Sequence, residues 1–507
     1  MKTAYLNCEF LTDISPVHLM QALANVVRKS LVSYYPIWLN NAGQQVIGLF
    51  PKMTLTVQPN ITDDLPYLAI QQQFRAEPLT SVVAGKSDSY QIAQLSGDMK
   101  TDMTADIKTV VAKLIDYQTQ QAVASDSAEL TESQNESQTD SKYRDGFIGF
   151  INYDIAAAYL ADTDASKDYL SAQQPLAFMG HYDIYLSYQD QQWQLHATTS
   201  EACDCLMEVQ RWLANFAKTH CRPISQPLGI ALKPLWSRTQ YTKAFEQVQA
   251  YLKAGDCYQI NLTQCWQGQL VDESLVDYLP NLYQATQAPF AGYVSVADYE
   301  LLSCSPELFF TFVKHPQGEN SIITKPIKGT RPRGDTPVSD NALKQELADS
   351  DKDKAENVMI VDLLRNDLGK YAKTGTVQVP KLFAIESFSN VHHMVSTITA
   401  TLKDDVHPLT VLFDSLPAGS ITGTPKKRAV EIIHELEAKP RGAYCGTLGY
   451  LNFDGTGQWN VLIRTLQASA GQVDLWAGGG ITIASACEAE YQECFDKVGN
   501  LLKILQA

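Results

Sequence analysis

Two helical-looking stretches carry acid where a buried stripe belongs. In "DSDKDKAENVMIVDLLRNDLGK", Glu356 shares a face with Ile360, Leu363 and Leu364 at i+4, i+7 and i+8. In "EAEYQECFDKVGNLLKIL", Glu490, Glu493, Cys494, Lys497 and Leu501 fall on one face. A buried carboxylate without a partner is costly or gives up its charge. Ion pairing, for instance Glu490 with Lys497, relieves that cost. So does a hard cation: carboxylates without a histidine or cysteine cluster suit Mg²⁺, which keeps several waters and needs few protein ligands.

Other residues could serve the same chemistry. Lys328, in "TKPIKGT", sits between a proline-stiffened segment and a glycine. It reads as a solvated turn lysine or as an amine held rigidly for nucleophilic attack. "GSITGTPKKRAVEIIHELE" predicts a helix with Thr424 as N-cap and Pro425 at its first position, its backbone N–H groups facing an anion. "LWAGGGITIAS" ends a strand in Gly478, Gly479 and Gly480, where backbone can approach a ligand closely. Arg464, in the predicted strand "NVLIRTLQ", needs an anionic partner, either a substrate carboxylate or an internal glutamate.

The elements that must position these groups alternate strand and helix. "YTKAFEQVQAYLKAGDCYQINLTQCW" reads as an amphipathic helix, a turn at Gly255 and a strand. "FAGYVSVADYELLSC", "YDIYLSYQDQQWQLHAT" and "LNFDGTGQWNVLIRTL" read as hairpins, and "DGFIGFINYDI" as a strand. The fold class is therefore α+β, with large antiparallel sheets packed as a sandwich and helices outside. Residues 119–143, rich in Gln, Ser, Asp and Glu, read as an unordered insertion. They divide an N-terminal region into 1–118 and 144–228, ahead of a catalytic region at 229–507.

The 507 residues carry 40 basic and 56 acidic side chains, a net charge of −16 that argues against nucleic acid as a partner. An anionic substrate must then be met by local cations or a metal. No secretory signal and no membrane span is visible, so a cytoplasmic location is expected. Ten scattered cysteines make no disulfide framework, and Cys203 and Cys205 lack a second Cys/His pair for zinc.

"SPELFF", "TKPIKGTRPRG", "DKAENVMIVDLLRNDLG", "VHHMVSTI", "GSITGTPKKRAVEII", "RGAYCGTLGYL", "IRTL", "AGGGI" and "EAEYQECFDK" occur in the order found in chorismate-utilising enzymes. The chain resembles that family through about residues 235–500, and "DGFIGFINYDI" resembles the N-terminal part of its amino-transferring members. The water-adding branch carries a lysine base where this chain has Gln259, an amide unable to deprotonate water. The anthranilate-forming branch reads P-I-A-G-T where this chain reads Pro326-Ile327-Lys328-Gly329-Thr330. Lys328 is similar to the covalent nucleophile of the branch that makes 4-amino-4-deoxychorismate on the way to 4-aminobenzoate and folate.

That resemblance implies Glu307 as the acid for the departing hydroxyl, and Mg²⁺ on Glu356, Glu490 and Glu493. It implies substrate contacts from Tyr444, Arg464, Lys497, His393, Thr422, Gly423 and the Gly478–Gly480 backbone. Pro289, Phe290 and Ala291 lie where relatives build a tryptophan pocket. A glutamine amidotransferase subunit is the implied source of ammonia, because the chain shows no Gly-x-Cys-x-Gly elbow with a downstream His-Pro-Glu. The chain ends just beyond the last helix, so no fused lyase is expected. The competing readings are an anthranilate-forming enzyme and a silent tryptophan- or amidotransferase-binding relative. Attack by Lys328 at pH 7–8 asks for a pKa roughly 3 below its free value of about 10.4. Neighbouring carboxylates oppose that, so activation is expected mainly in the assembled complex.

Overall fold

In the structure, a computed structural model, twenty-four strands among the described residues are gathered into two twelve-stranded sheets. Described are residues 3–30, 35–62, 65–75, 100–104, 106–126, 142–161, 163–170, 174–221, 227–388, 391–437 and 439–506. Every described strand pair is antiparallel. The first sheet runs Ala4–Asn7, Gln192–Ala197, Ile184–Gln189, Gln44–Gly48, Ile37–Asn41, Phe290–Val296, Tyr299–Ser305, Thr465–Ser469, Gln472–Ile481, Gln259–Gln269 and Lys233–Pro234, with Gly423–Thr424 added to Gln259–Gln269. In the second sheet Gly146–Ile151 lies between Ala177–His181 and Thr447–Asn452, and the far side carries Ile327–Pro332 beside Val391–Thr401.

Apolar residues that alternate along both sheets meet between them. Ile37, Leu39, Val294 and Leu301 of the first pack with Ile148, Phe150, Leu448 and Tyr450 of the second in one buried cluster. Each of these is a period-2 position, so one strand face enters the core and the other meets helices. Within each sheet the strands of the N-terminal region form one block and those of residues 229–507 another, joined at a single seam: Ile37–Asn41 pairs with Phe290–Val296, and Gly146–Ile151 with Thr447–Asn452.

The hairpins form at Phe290–Val296 with Tyr299–Ser305 and at Ile184–Gln189 with Gln192–Ala197. Helix Arg238–Ala254 is opened by a Ser237/Gln240 capping box and closed by Gly255 at φ +84°, the left-handed cap that glycine favours.

Three local expectations are corrected. Helix Ile107–Asp126 runs through Thr119–Asp126, the beginning of the stretch expected to be unordered. Its docked turns bury Leu114 and Tyr117, and Gln118 donates to the Phe453 carbonyl at 2.8 Å, which carries the helix onward. Residues 127–141 lie outside those described.

"LNFDGTGQWNVLIRTL" is a hairpin only as far as Asn460. The chain then crosses from one sheet to the other, and Arg464 stands at that crossing with φ +51°. The helix expected from Thr424 starts at Lys426 with Pro425 as its cap. Gly423 and Thr424 are drawn into a ladder opposite Ile260 and Gln259, so Thr424 cannot cap.

Candidate active site

One cavity of about 920 Å³ gathers eleven of the residues singled out by sequence: Glu307, Lys328, Glu356, His393, Tyr444, Arg464, Gly478, Gly480, Glu490, Glu493 and Lys497. That volume suits a small-molecule ligand. Strand Ile327–Pro332 presents Lys328, strand Val391–Thr401 presents His393, and helices Asp351–Gly369 and Cys487–Gln506 present the glutamates.

Thr422, Gly423 and Gly479 do not line it. Thr422 is fully buried behind the wall, its hydroxyl donating to the Ala418 carbonyl at 2.9 Å, and Gly423 is held in the ladder with Ile260. Pro289, Phe290 and Ala291 lie elsewhere. The Pro289 carbonyl accepts from Ala42 N–H at 2.8 Å, the Phe290 carbonyl accepts from Asn460 at 2.8 Å, and Ala291 is buried.

Glu307 is 7 % exposed, and burial lifts its carboxyl to about 7 against the opposing charges of Lys328, Lys497 and Arg464. It can hold a proton near neutrality and release it to a leaving group. Lys328 donates to the Ser420 carbonyl at 3.4 Å. Burial, then the charge of Lys497, lower its pKa and outweigh Glu307, Glu356 and Glu493. Its shift thus begins in the free protein, because its desolvation exceeds the field of the carboxylates. His393 shares a 2.8 Å hydrogen bond with the Thr330 hydroxyl; burial and then Arg464 push it down to about 4, so the ring is neutral at pH 7.

Arg464 makes no ion pair among the described residues, although burial disfavours its charge enough to lower its pKa. Of the two partners foreseen for it, the internal glutamate is represented by Glu307, whose charge opposes that lowering without forming an ion pair. A guanidinium at a cavity wall with no carboxylate in ion-pair contact can also receive an anion. Tyr444, 4 % exposed, stacks on Trp476 with ring centroids 6.1 Å apart.

The carboxylates face a deficit of positive charge. Burial raises Glu356, opposed by Lys328 and Lys352 and reinforced by Asp353 and Glu493. Burial also raises Glu490, with Glu493 adding to the shift against a Ser485 hydrogen bond. Burial pushes Glu493 the same way, but Lys497, 2.6 Å away, brings it down overall. The ion pair foreseen between Glu490 and Lys497 is therefore made by Glu493. A Cβ at Gly479 would come within 2.9 Å of a Glu490 oxygen and 3.3 Å of a Glu493 oxygen, so glycine leaves the cradle in which both carboxylates sit. Among the described residues no group of three or more acidic, histidine or cysteine side chains is placed to hold a metal ion. Glu490 and Glu493, side by side over Gly479, are oxygen donors of the kind a hard cation that keeps its waters takes.

Several cavity residues were not foreseen: Thr330, Lys352, Asp353, Ser420, Trp476 and Asp496. Some carried a signal. Thr330 is two strand positions from Lys328, and Lys352 and Asp353 precede Glu356 by about one helical turn.

A sandwich of two large antiparallel sheets with this pocket at its edge defines a class. A family model described as chorismate binding enzyme matches residues 86–503, and the chain belongs to that family. It is 42 % identical over 370 residues to aminodeoxychorismate synthase component 1 of Salmonella typhimurium, covering 72 % of this chain and 78 % of that protein. It is 38 % identical over 270 residues to anthranilate synthase component 1 of Bacillus subtilis, covering 53 % and 51 %. The solved structure of anthranilate synthase component I from Streptococcus pneumoniae superimposes with a TM-score of 0.67 over 91 % of this chain and 92 % of that one; at 22 % identity the likeness is one of fold.

Proposed function

We propose that this chain converts chorismate and ammonia into 4-amino-4-deoxychorismate and water, for 4-aminobenzoate and folate synthesis, with Lys328 as covalent nucleophile. The observation that carries the reading is an amine with a lowered pKa sharing one cavity with a carboxyl that titrates near 7. The uncharged Lys328 amine attacks C2 of the ring, both ring double bonds shift, and the C4 hydroxyl leaves as water with the proton of Glu307. Ammonia then attacks C4, both double bonds shift back, the Lys328 nitrogen departs from C2 as the free amine, and the proton shed by the new C4 nitrogen returns to Glu307. Arg464, Tyr444 and the Lys497 ammonium orient the enolpyruvyl carboxylate, and neutral His393 faces C4.

Glu356, Glu490 and Glu493 would hold Mg²⁺. When bound, the ion supplies positive charge that offsets the ring carboxylate of the substrate. Ammonia comes from a separate glutamine amidotransferase subunit, a reading supported by the "component 1" naming of the relatives. The location that follows is cytoplasmic; no described helix is long and apolar enough to cross a membrane.

The likeness to the Bacillus subtilis protein keeps anthranilate formation as a second reading. Incubating the purified chain with chorismate, Mg²⁺ and an ammonium salt, and identifying the product by mass and retention, separates them. 4-Amino-4-deoxychorismate is expected; anthranilate, or no product, overturns the proposal.

A further inference from the structure

One layer behind the cavity wall lies a buried ion pair that the proposed reaction does not use. Arg441 is 1 % exposed and meets Glu437 with both ends of its fork, Nε to Oε2 at 2.8 Å and Nη2 to Oε1 at 2.6 Å. Glu437 in turn accepts from the Thr263 N–H at 3.1 Å and the Thr263 hydroxyl at 2.6 Å. Of the remaining donors of Arg441, Nη1 goes to the Ile421 carbonyl at 3.1 Å and to Cys445 Sγ at 3.5 Å, and Nη2 to the Asn261 carbonyl at 2.8 Å. Its guanidinium also lies 4.9 Å from the Tyr153 ring centre and 5.7 Å from that of Tyr444.

Asn261, Ile421 and Tyr444 all line the cavity, and they come from three separate segments: a strand, the short 3-10 helix Gly419–Ile421 and a turn. Ile421 is the neighbour of Ser420, whose carbonyl accepts from Lys328. The turn that carries Arg441 and Tyr444 is itself fastened from beneath. Gln467 donates to the Arg441 carbonyl at 2.9 Å and accepts from Ala443 N–H at 2.8 Å. Asp154 accepts from Gly442 N–H at 2.8 Å, and Tyr153 N–H donates to the Gly442 carbonyl at 3.0 Å. The N-terminal stretch "GFINYDI" thus has its last polar residues seated against this turn.

We propose that Arg441, neutralised by Glu437 and seated by Tyr153 and Asp154, is the positioning residue that sets the Tyr444 phenol and the Asn261 and Ile421 peptides around the substrate. The inference rests on the functional reading above, since chorismate is the ligand whose binding reports it. A planar fork with five donors can satisfy two carbonyls and a carboxylate together; a lysine ammonium cannot. Arg441→Lys keeps the charge opposite Glu437 and releases the peptides.

The test is steady-state kinetics of the full chain with chorismate and ammonium salt, with melting temperature measured alongside. Arg441→Lys is expected to raise the KM for chorismate about tenfold or more in protein that stays folded. A merely structural role lowers melting temperature and active fraction but leaves the KM of the surviving enzyme unchanged, and that result overturns the proposal. A cycle with Tyr444→Phe is a second arm: the two losses should be non-additive, because one acts through the other. Additive losses refute positioning of Tyr444. Should Arg441→Lys fail to fold, Tyr153→Leu takes its place. The Tyr153 hydroxyl has no hydrogen-bond partner among the described residues, so this change removes the ring face under the guanidinium without orphaning a donor. A rise in KM of about threefold supports the inference, and an unchanged KM overturns it. A wild-type chain that does not turn over chorismate refutes the functional reading itself, and the inference falls with it.

Discussion

Replacing Glu307 with glutamine should make this protein more stable and nearly inactive at the same time. Burial raises its carboxyl from 4.5 to about 7. At about 1.4 kcal/mol per tenfold, the ionised form is penalised in the fold by on the order of 3 kcal/mol. The sign follows from the raised value: folding favours the protonated form, so the carboxyl contributes stability below its unfolded pKa of about 4.5. That contribution fades as pH rises from there through about 7. The Glu307→Gln variant carries no charge to bury. Its urea midpoint should exceed that of the wild type at pH 8 by an amount equivalent to about 3 kcal/mol. The advantage should shrink below about 1 kcal/mol at pH 5. Loss of the acid should cost about 10²- to 10⁴-fold in kcat. A variant no more stable than wild type at pH 8, or one that keeps the wild-type kcat, refutes the reasoning.

Mass spectrometry of wild type quenched with chorismate should find a covalent adduct on the peptide containing Lys328. Lys328→Ala should lose it, and unchanged formation of 4-amino-4-deoxychorismate by that variant would make Lys328 a bystander. Arg464→Met should raise the KM for chorismate about 10- to 100-fold with little change in kcat, the cost of one charge-assisted contact to a non-reacting carboxylate; an unaltered KM would place the anion elsewhere. Glu490→Gln should abolish turnover and the response to added Mg²⁺ while leaving the circular dichroism spectrum unchanged. Full activity of that variant in excess chelator would remove the metal from the site.

What could be read from the chain followed the range of the interactions. Glu356 and Glu490 share a face with apolar residues through i+4 periodicity, a local property, and both line the cavity. Hairpins joined by tight turns were legible for the same reason. Arg464 was assigned to a strand because its neighbours are apolar, but those neighbours are apolar to suit a crossing between two sheets. Thr424 looked like a cap until strand Gln259–Gln269, more than 150 positions earlier, claimed it for a ladder. Arg441 opens the segment "RGAYCGTLGYL" but drew no role from it, since the Asn261 carbonyl it holds is 180 residues away. For Lys328 the opposing carboxylates could be named from sequence, whereas the desolvation that outweighs them in the free protein needed coordinates.

The seam between early and late strands in each sheet has a consequence for biosynthesis. Gly146–Ile151 acquires one neighbour from Ala177–His181 soon after it leaves the ribosome, but its other edge waits for Thr447–Asn452. At 5–20 residues per second, the roughly 300 residues between them take about 15 to 60 s to synthesise. Through that interval a nascent chain of several hundred residues displays a long apolar strand with unpaired N–H and C=O groups, a template for pairing with other nascent chains. Severing the chain between residues 228 and 229 would leave raw edges on both products at Ile37–Asn41, Phe290–Val296, Gly146–Ile151 and Thr447–Asn452. Expressed apart, the two pieces should aggregate; expressed together, they should reassemble through those same edges.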